Sequence, residues 1–450
     1  MDADDETAGA LGRTWLSDRP WEVLTRLTEL DHRLAGHPGD REAASVVADA
    51  FAAAGLRDVH EEPFELRRWT PGEVELAVTV PDRDVTRSFE AVALPYCPPY
   101  DATAPLVDVG HGTPEELAAA DVGGALAITS TESPPELGRL YHRVEKVGQA
   151  AAAGAEGFVF VNHVPGQLPP TGALRFGDEA SIPGVGVSLE AGEWLREYAD
   201  EGARVRLRVD ARTEDGRSRN VVGHLGPDTD DEVLVVAHHD SHHIAEGALD
   251  NGCGVATIVG MAAMLADLEG DLELRVRFAS VSGEEIGLLG SEALAGSVEV
   301  DAVHAIVNVD GAGRHRDLRA LTHTSGALSD VVEEIAAAVD HPVRISDGPH
   351  PYSDHWPFLR AGTPSLQLHS EEPTGEGRWE RGWGHTQADT RDKADPRTIR
   401  EHAMLAGLLV RAVASTDLPR VEPAEVREQL TEMGAREGML AADIWPDGWD

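Results

Sequence analysis

The chain has 450 residues, 41% of them hydrophobic, with a formal net charge of −42. Such a length calls for about two or three structural units and such a composition for a globular fold, not a disordered one. The acids are spread through the chain and no basic face is available for phosphate contacts, which excludes nucleic acid as a partner.

No apolar run reaches the roughly 18 residues of a membrane span, and the acidic start MDADDE is the opposite of a targeting segment. The expectation is a cytoplasmic protein with no membrane partner; a homo-oligomer is left open. Among the 38 basic residues only Lys146 and Lys393 are lysines. A dispersed acidic surface nearly without lysine predicts a protein adapted to high salt, where self-repulsion is screened. The alternative is the bias of a GC-rich genome, which also favours Arg, Ala, Gly and Asp. Cys97 and Cys253 lie far apart and lack metal-ligand spacing, so no disulfide framework and a reducing compartment are expected.

In chain order, apolar residues three and four apart predict a helix over 15–34, with Ser17 or Asp18 capping and Pro20 at its start. A second helix spans 40–55, closed by Gly55. Strands follow at 59–66 and 74–80. From about residue 95 the texture changes to short apolar runs at 106–109, 124–128, 157–161, 182–187 and 205–209, with helical patterns at 147–153 and 190–198. That stretch, 95–214, reads as an inserted, mainly-β module. The flanking unit, 1–94 and 215–416, resumes with strands at 220–224 and 233–237, a helix at 253–268, a strand at 273–281, a helix at 285–295 and a strand at 303–309. A helix at 327–339, a strand at 363–368 and a helix at 397–414 complete it. Strands and helices alternating in this way give an α/β fold, a mixed central sheet with helices on both faces. Residues 417–450 form an acidic C-terminal extension.

The chemistry sits at strand ends. The run Val233–Ala237 ends in His238-His239-Asp240, and Asp250-Asn251-Gly252-Cys253 opens the next helix. Two further strands end in Ser282-Gly283-Glu284-Glu285 and in Asp310, and a loop carries Gly384-His385-Thr386-Gln387-Ala388-Asp389. Each group alone reads as a cap or a satisfied core residue. Together, imidazoles and carboxylates favour zinc, cobalt or manganese over calcium, and the surplus of acids suggests two ions sharing a bridging carboxylate.

The runs HHDS at 238–241, DNGCG at 250–254, SGEEIGLLGS at 282–291, Asn308-Val309-Asp310 and Gly384-His385-Thr386 resemble the successive signatures of the M28 family of co-catalytic zinc peptidases. YSDHWPFLRAGTPSL at 352–366 is similar to a further segment of that family. The insert resembles a protease-associated (PA) domain, with Ile182-Pro183 and the exit through Ser218-Arg219-Asn220-Val221. The resemblance implies the zinc-exopeptidase fold and two zinc ions per chain, with Co2+ or Mn2+ as substitutes. His238 and Asp310 would hold one ion, Glu285 and His385 the other, with Asp250 as the bridge. Asp240 would orient His238 and Glu284 would be the general base. His239, His242 and His243 would form the rim, and Tyr352, Asp354 and His355 the substrate pocket. Some relatives carry a tyrosine before the last histidine; Gly384 stands there in this chain, and Tyr352 or His355 could replace its function.

The expected activity is exopeptidase action on short peptides, most simply as an aminopeptidase. A dipeptidase or carboxypeptidase would need an arginine for the terminal carboxylate, Arg360 or Arg378. An amidohydrolase of the same fold and a non-catalytic, receptor-like binding protein remain as alternatives; the complete ligand set argues against the last. The salt-adapted composition joined to this resemblance suggests a haloarchaeal source.

Overall fold

The computed structural model describes residues 5–83, 85–373 and 382–449. Two eight-stranded sheets organise it. At the centre of the first lies Glu232–His238, flanked in parallel by Arg275–Val281 and Val303–Val309. Every residue of that central strand is buried, as its unbroken apolar run requires when helices cover both faces. Val233, Val235 and Ala237 face the larger core, with the helices Pro38–Ala54, Cys253–Asp267 and Pro396–Ser415. Leu234 and Val236 face a smaller one with Leu294 and Phe358. The period-two alternation thus serves two layers at once.

The sheet is mixed. Ser365–Ser370 extends the parallel set, whereas Arg212–Leu225 pairs antiparallel with Arg275–Val281 and Arg57–Thr70 antiparallel with Arg212–Leu225. At the opposite edge stand Leu318–Leu321 and Val343–Ser346, strands of four residues that the sequence pattern does not reveal. The segment Ala248–Asp267 is long and apolar enough to cross a membrane, yet 89% of its apolar window is buried inside the protein. It is a core helix. A Cβ at Gly260 would meet Ala403 at 2.9 Å and Pro20 at 3.0 Å, so glycine lets three helices approach there.

The second sheet runs from Val74–Val80 to Arg204–Val209, with a parallel set of Tyr100–Asp108, Leu126–Ser130, Gly157–Val161 and Gly184–Val187. Val74–Val80 pairs with Arg204–Val209, so the second sheet begins ahead of the boundary expected at residue 95. The cause is the long ladder of Arg57–Thr70 on Arg212–Leu225, which carries the chain out of the first sheet before residue 74 and returns it after 209.

Two other segments take a definite form. The helix read over 15–34 is Arg19–Thr28, with Asp18 at its N-cap and Pro20 in its first turn, and a separate helix, Asp5–Leu16, precedes it. The acidic extension forms Pro423–Glu432 and Arg436–Ala441. Its Val426, Leu430 and Met439 pack with Trp356 and Leu359 of the first unit, and Phe176 of the insert joins that cluster.

Candidate dinuclear metal centre

Parallel strands bring their C-terminal ends to one side of a sheet, and that is where this site forms. His238 closes Glu232–His238, Glu284 and Glu285 follow Arg275–Val281, and Asp310 follows Val303–Val309. Asp250 lies on the turn before Cys253–Asp267, where its φ of −125° and ψ of 89° leave the helical region. Asp389 fixes that turn by accepting from the Leu249 N–H (2.7 Å) and the Asp250 N–H (3.1 Å).

The donors gather in two groups. His238 Nε2 lies 3.3 Å from Asp250 Oδ1 and 3.8 Å from Asp310 Oδ1. His385 Nε2 lies 3.4 Å from Asp250 Oδ2 and 3.1 Å from Glu285 Oε2. Asp250 therefore presents one oxygen to each group, the disposition a bridging carboxylate needs. Glu284 Oε2 stands 4.0 Å from His238 Nε2, with its carboxylate facing the same cavity.

Asp240 orders this arrangement from behind. Its carboxylate approaches His238 Nδ1 at 3.4 Å and accepts from the Glu284 and Glu285 amides at 3.2 and 3.3 Å. One buried side chain thus sets the tautomer of His238 and the backbone that separates Glu284 from Glu285. Asp310 accepts from Ser353 Oγ (2.6 Å) and Gln367 Nε2 (3.4 Å).

The histidines expected at the rim are not there. His239 is fully buried, between Ser280 Oγ (3.0 Å) and Asp40 Oδ1 (3.5 Å). His242 is also buried, with Nε2 at 2.8 Å from Glu285 Oε2 and 3.2 Å from His385 Nδ1, and it belongs to the second donor group. His243, like His239, stays outside the site, edge-on to Trp69. The loop folds inward because the buried Arg33 guanidinium donates to the carbonyls of His239, Glu246 and Gly247. Nothing in the sequence around Arg33 marks this role.

Of the pocket residues, Tyr352 lines the cavity and Asp354 and His355 do not. Burial pushes the Asp354 carboxyl up to about 7, and it sits behind the pocket with His355, whose Nε2 meets the His350 carbonyl at 2.8 Å. The Tyr352 hydroxyl donates to Glu145 at 2.6 Å, so it is engaged away from the donors. Neither Tyr352 nor His355 is placed to act as the missing tyrosine would. Arg360 pairs with Glu292 at 2.6 Å and does not line the cavity. Arg378 lies outside the described residues.

The charge balance tests whether metal ions fit. Asp250, Glu284, Glu285 and Asp310 converge in one pocket, and His238 Nε2 is buried with no hydrogen-bond partner among the described residues. Burial pulls the His238 imidazolium down, but Glu284, Asp240, Asp250 and Asp310 outweigh it and hold the pKa well above the ordinary range. Burial, then Asp310, Asp354 and Glu285, push Glu284 well above the carboxylate range. A site that draws protons this strongly calls for cationic charge, and mixed imidazole and carboxylate donors suit a first-row divalent ion. Two such ions fit, one at His238, Asp250 and Asp310 and one at Glu285 and His385, with His242 beside the second.

A cleft opens directly above them. Leu140, His142, Arg143 and Phe176 of the insert form one wall; Tyr352, His350, Arg314 and His369 form much of the rest. Neither Arg314 nor Arg143 is marked by the sequence as a cavity residue.

An α/β sheet whose parallel strand ends carry a shared-carboxylate pair of metal sites, with a free-standing glutamate alongside, defines a dinuclear metallohydrolase. Residues 220–410 match Peptidase family M28 and residues 102–195 match the PA domain. The chain therefore carries a segment similar to M28 peptidases, with a PA-domain match ahead of it. It is similar to aminopeptidase YwaD of Bacillus subtilis (strain 168), 27% identical over 439 residues that span 95% of this chain and 89% of the relative. Its fold matches an aminopeptidase from Aneurinibacillus sp. strain AM-1, with a TM-score of 0.66, 26% identity and coverage of 90% and 94% of the two chains. It also matches a zinc aminopeptidase from Bacillus subtilis, with a TM-score of 0.68, 25% identity and coverage of 89% and 95%.

Proposed function

We propose that this enzyme is an aminopeptidase that removes N-terminal residues from short peptides in a salt-rich cytoplasm of haloarchaeal type. The observation that carries the peptidase reading is Asp250 shared between two donor groups with Glu284 facing the same cavity. The aminopeptidase activity named for the similar Bacillus and Aneurinibacillus proteins supports the choice of peptide end. The charge of −42 with only two lysines, Lys146 and Lys393, supports the salt adaptation.

His238, Asp250 and Asp310 would hold one ion, and Asp250, Glu285 and His385 the other. Such ions supply a Lewis acid for the scissile carbonyl and lower the pKa of water. Glu284 takes the proton from the attacking water and delivers it to the leaving amine. Asp240 keeps Glu284 and Glu285 apart by holding both their amides, so that one faces the reacting water and the other the donor group. Leu140, Phe176 and Tyr352 exclude water from one side of the cavity.

One observation favours a second reading. Among the described residues the cavity's carboxylates are Asp250, Glu284, Glu285 and Asp310, all of them donors or the base, while Arg143 and Arg314 also line it. Cations there suit a substrate's terminal carboxylate, as in a dipeptidase or carboxypeptidase. Hydrolysis of free, N-blocked and C-blocked peptides by the zinc-loaded enzyme in high salt decides. Loss of turnover on N-blocked peptides alone is the aminopeptidase result; loss on C-blocked peptides alone replaces it with the second reading.

A further inference from the structure

We propose that the PA insert is part of the second metal site: the backbone of Thr171 holds His385 in its donor geometry and fixes its tautomer. This rests on the dinuclear reading above and adds an element that lies outside the peptidase unit.

His385 and Thr171 meet through paired backbone and side-chain bonds. The Thr171 N–H donates to the His385 carbonyl at 2.8 Å, and His385 Nδ1 lies 3.1 Å from the Thr171 carbonyl. A carbonyl only accepts, so Nδ1 carries the proton and Nε2 is left with its lone pair directed at Asp250 and Glu285. His242 Nε2 is close enough to compete, at 3.2 Å from His385 Nδ1, but it is closer to Glu285 Oε2, at 2.8 Å. One proton on each ring satisfies both contacts: His242 donates to Glu285 and His385 donates to Thr171.

His385 needs that support. Its φ is +58°, a left-handed conformation that is strained for a non-glycine residue unless its surroundings impose it. It sits on a loop beyond the sheet, where no strand ladder fixes it. The insert supplies a rigid counterpart. Thr171 is buried, and Arg143 on the helix Arg143–Ala152 donates to the carbonyls of Ala173 at 2.6 Å and Thr171 at 3.5 Å. Pro170 packs so closely on Gly184–Val187 that a Cβ at Gly186 would meet its carbonyl at 1.8 Å. The insert's sheet, the 170–173 segment and His385 therefore form one continuous mechanical path. The corresponding brace on His238 comes from Asp240, two residues along the same chain.

The test is metal binding to the full chain. Thr171→Pro removes the N–H that donates to His385. Gly172→Ala is the second variant: its φ is +128° and an added Cβ would lie 2.2 Å from the Arg143 guanidinium, which strains the backbone and pushes that guanidinium off the segment while leaving every donor side chain in place. Wild type titrated with zinc, read by calorimetry and by metal content after gel filtration, binds two ions per chain. In both variants the tighter or looser of the two sites, whichever His385 serves, weakens by about 10- to 100-fold, and the other is unchanged. Two unchanged affinities in a folded variant overturn the proposal. If both variants fail to fold, the wild type still decides through ¹⁵N-labelled histidine, with the His385 signal assigned by its loss in His385→Asn. A zinc-bound Nε2 with a slowly exchanging Nδ1–H supports the brace, and zinc on Nδ1 overturns it. A wild type that binds no second ion instead removes the dinuclear reading itself, which separates the two failures.

Discussion

The two donor groups are built from different kinds of structure. His238 and Asp310 stand at the ends of adjacent parallel strands, and their supports, Asp240, Ser353 and Gln367, come from the peptidase unit itself. Glu285 and His385 ride on loops past the sheet, and their neighbours come from a folded-in loop, through His242, and from the insert, through Thr171. Core packing fixes the first half. The second is complete only when two distant stretches of chain have docked. Asp250 spans the two and is itself pinned by Asp389.

Glu284 belongs to neither group, which makes it the strongest probe of the comparison. Glu284→Ala is expected to lower kcat by about 100- to 10,000-fold while metal content, read by elemental analysis, stays at the wild-type level. A parallel loss of metal would place Glu284 among the donors.

The docked half should be sensitive to the joint between insert and tail. Glu145, fully buried on the insert helix, takes both Arg139 nitrogens at 2.8 Å and the Tyr352 hydroxyl at 2.6 Å. Arg139 in turn donates to the carbonyls of Met433 (3.0 Å) and Gly434 (2.9 Å) in the C-terminal extension. Glu145→Ala leaves a buried guanidinium uncompensated, a loss of about 3–5 kcal/mol. The expected result is a clear fall in Tm, with the site at His238 still able to bind zinc. An unchanged Tm would mean that the tail and insert do not depend on this pair.

What the sequence revealed follows the same division. The strand-end residues were legible only as a set: each alone reads as a cap or a satisfied core group, but His238, Glu284, Glu285 and Asp310 place metal-ligand types at the ends of several buried apolar runs. The helices Pro38–Ala54, Cys253–Asp267 and Pro396–Ser415 followed from their apolar period. The loop contacts were not legible. His242 reads as a rim residue, because its inward path is set by Arg33, more than two hundred residues away in sequence. Thr171 acts through its backbone, which leaves no mark on residue type. The strands Leu318–Leu321 and Val343–Ser346 were missed because four residues carry too short a pattern.

A smaller effect is expected where the first half is braced. Asp240→Asn keeps the shape but replaces an oxygen with an amide that cannot accept from every present donor. Zinc affinity at the His238 site should fall by about 10- to 100-fold, read by calorimetry, with the His385 site retained. Equal weakening of both sites would show that the Glu284 and Glu285 amide contacts matter as much as the His238 contact.

The smallest effect separates the insert's own stability from the centre it supports. Lys146 is buried inside the insert, where Nζ donates to the carbonyls of Ser130 (2.6 Å) and Glu132 (2.7 Å). Burial lowers its pKa from 10.5 to about 7. Between those values the unfolded chain holds a proton on this lysine that the folded chain has released. The unfolded state therefore binds more protons, and stability rises with pH through that window and levels off below about 7. One such proton gives a slope of at most about 1.4 kcal/mol per pH unit. Denaturant unfolding of wild type and Lys146→Met between pH 7 and pH 9 in high salt should show this slope as their difference. Identical slopes would mean that the two carbonyls, with the rings of Tyr141 and Phe160 at 5.4 and 5.9 Å, keep the ammonium charged. The insert would then meet the metal centre with a fixed charge in its core and no pH term of its own.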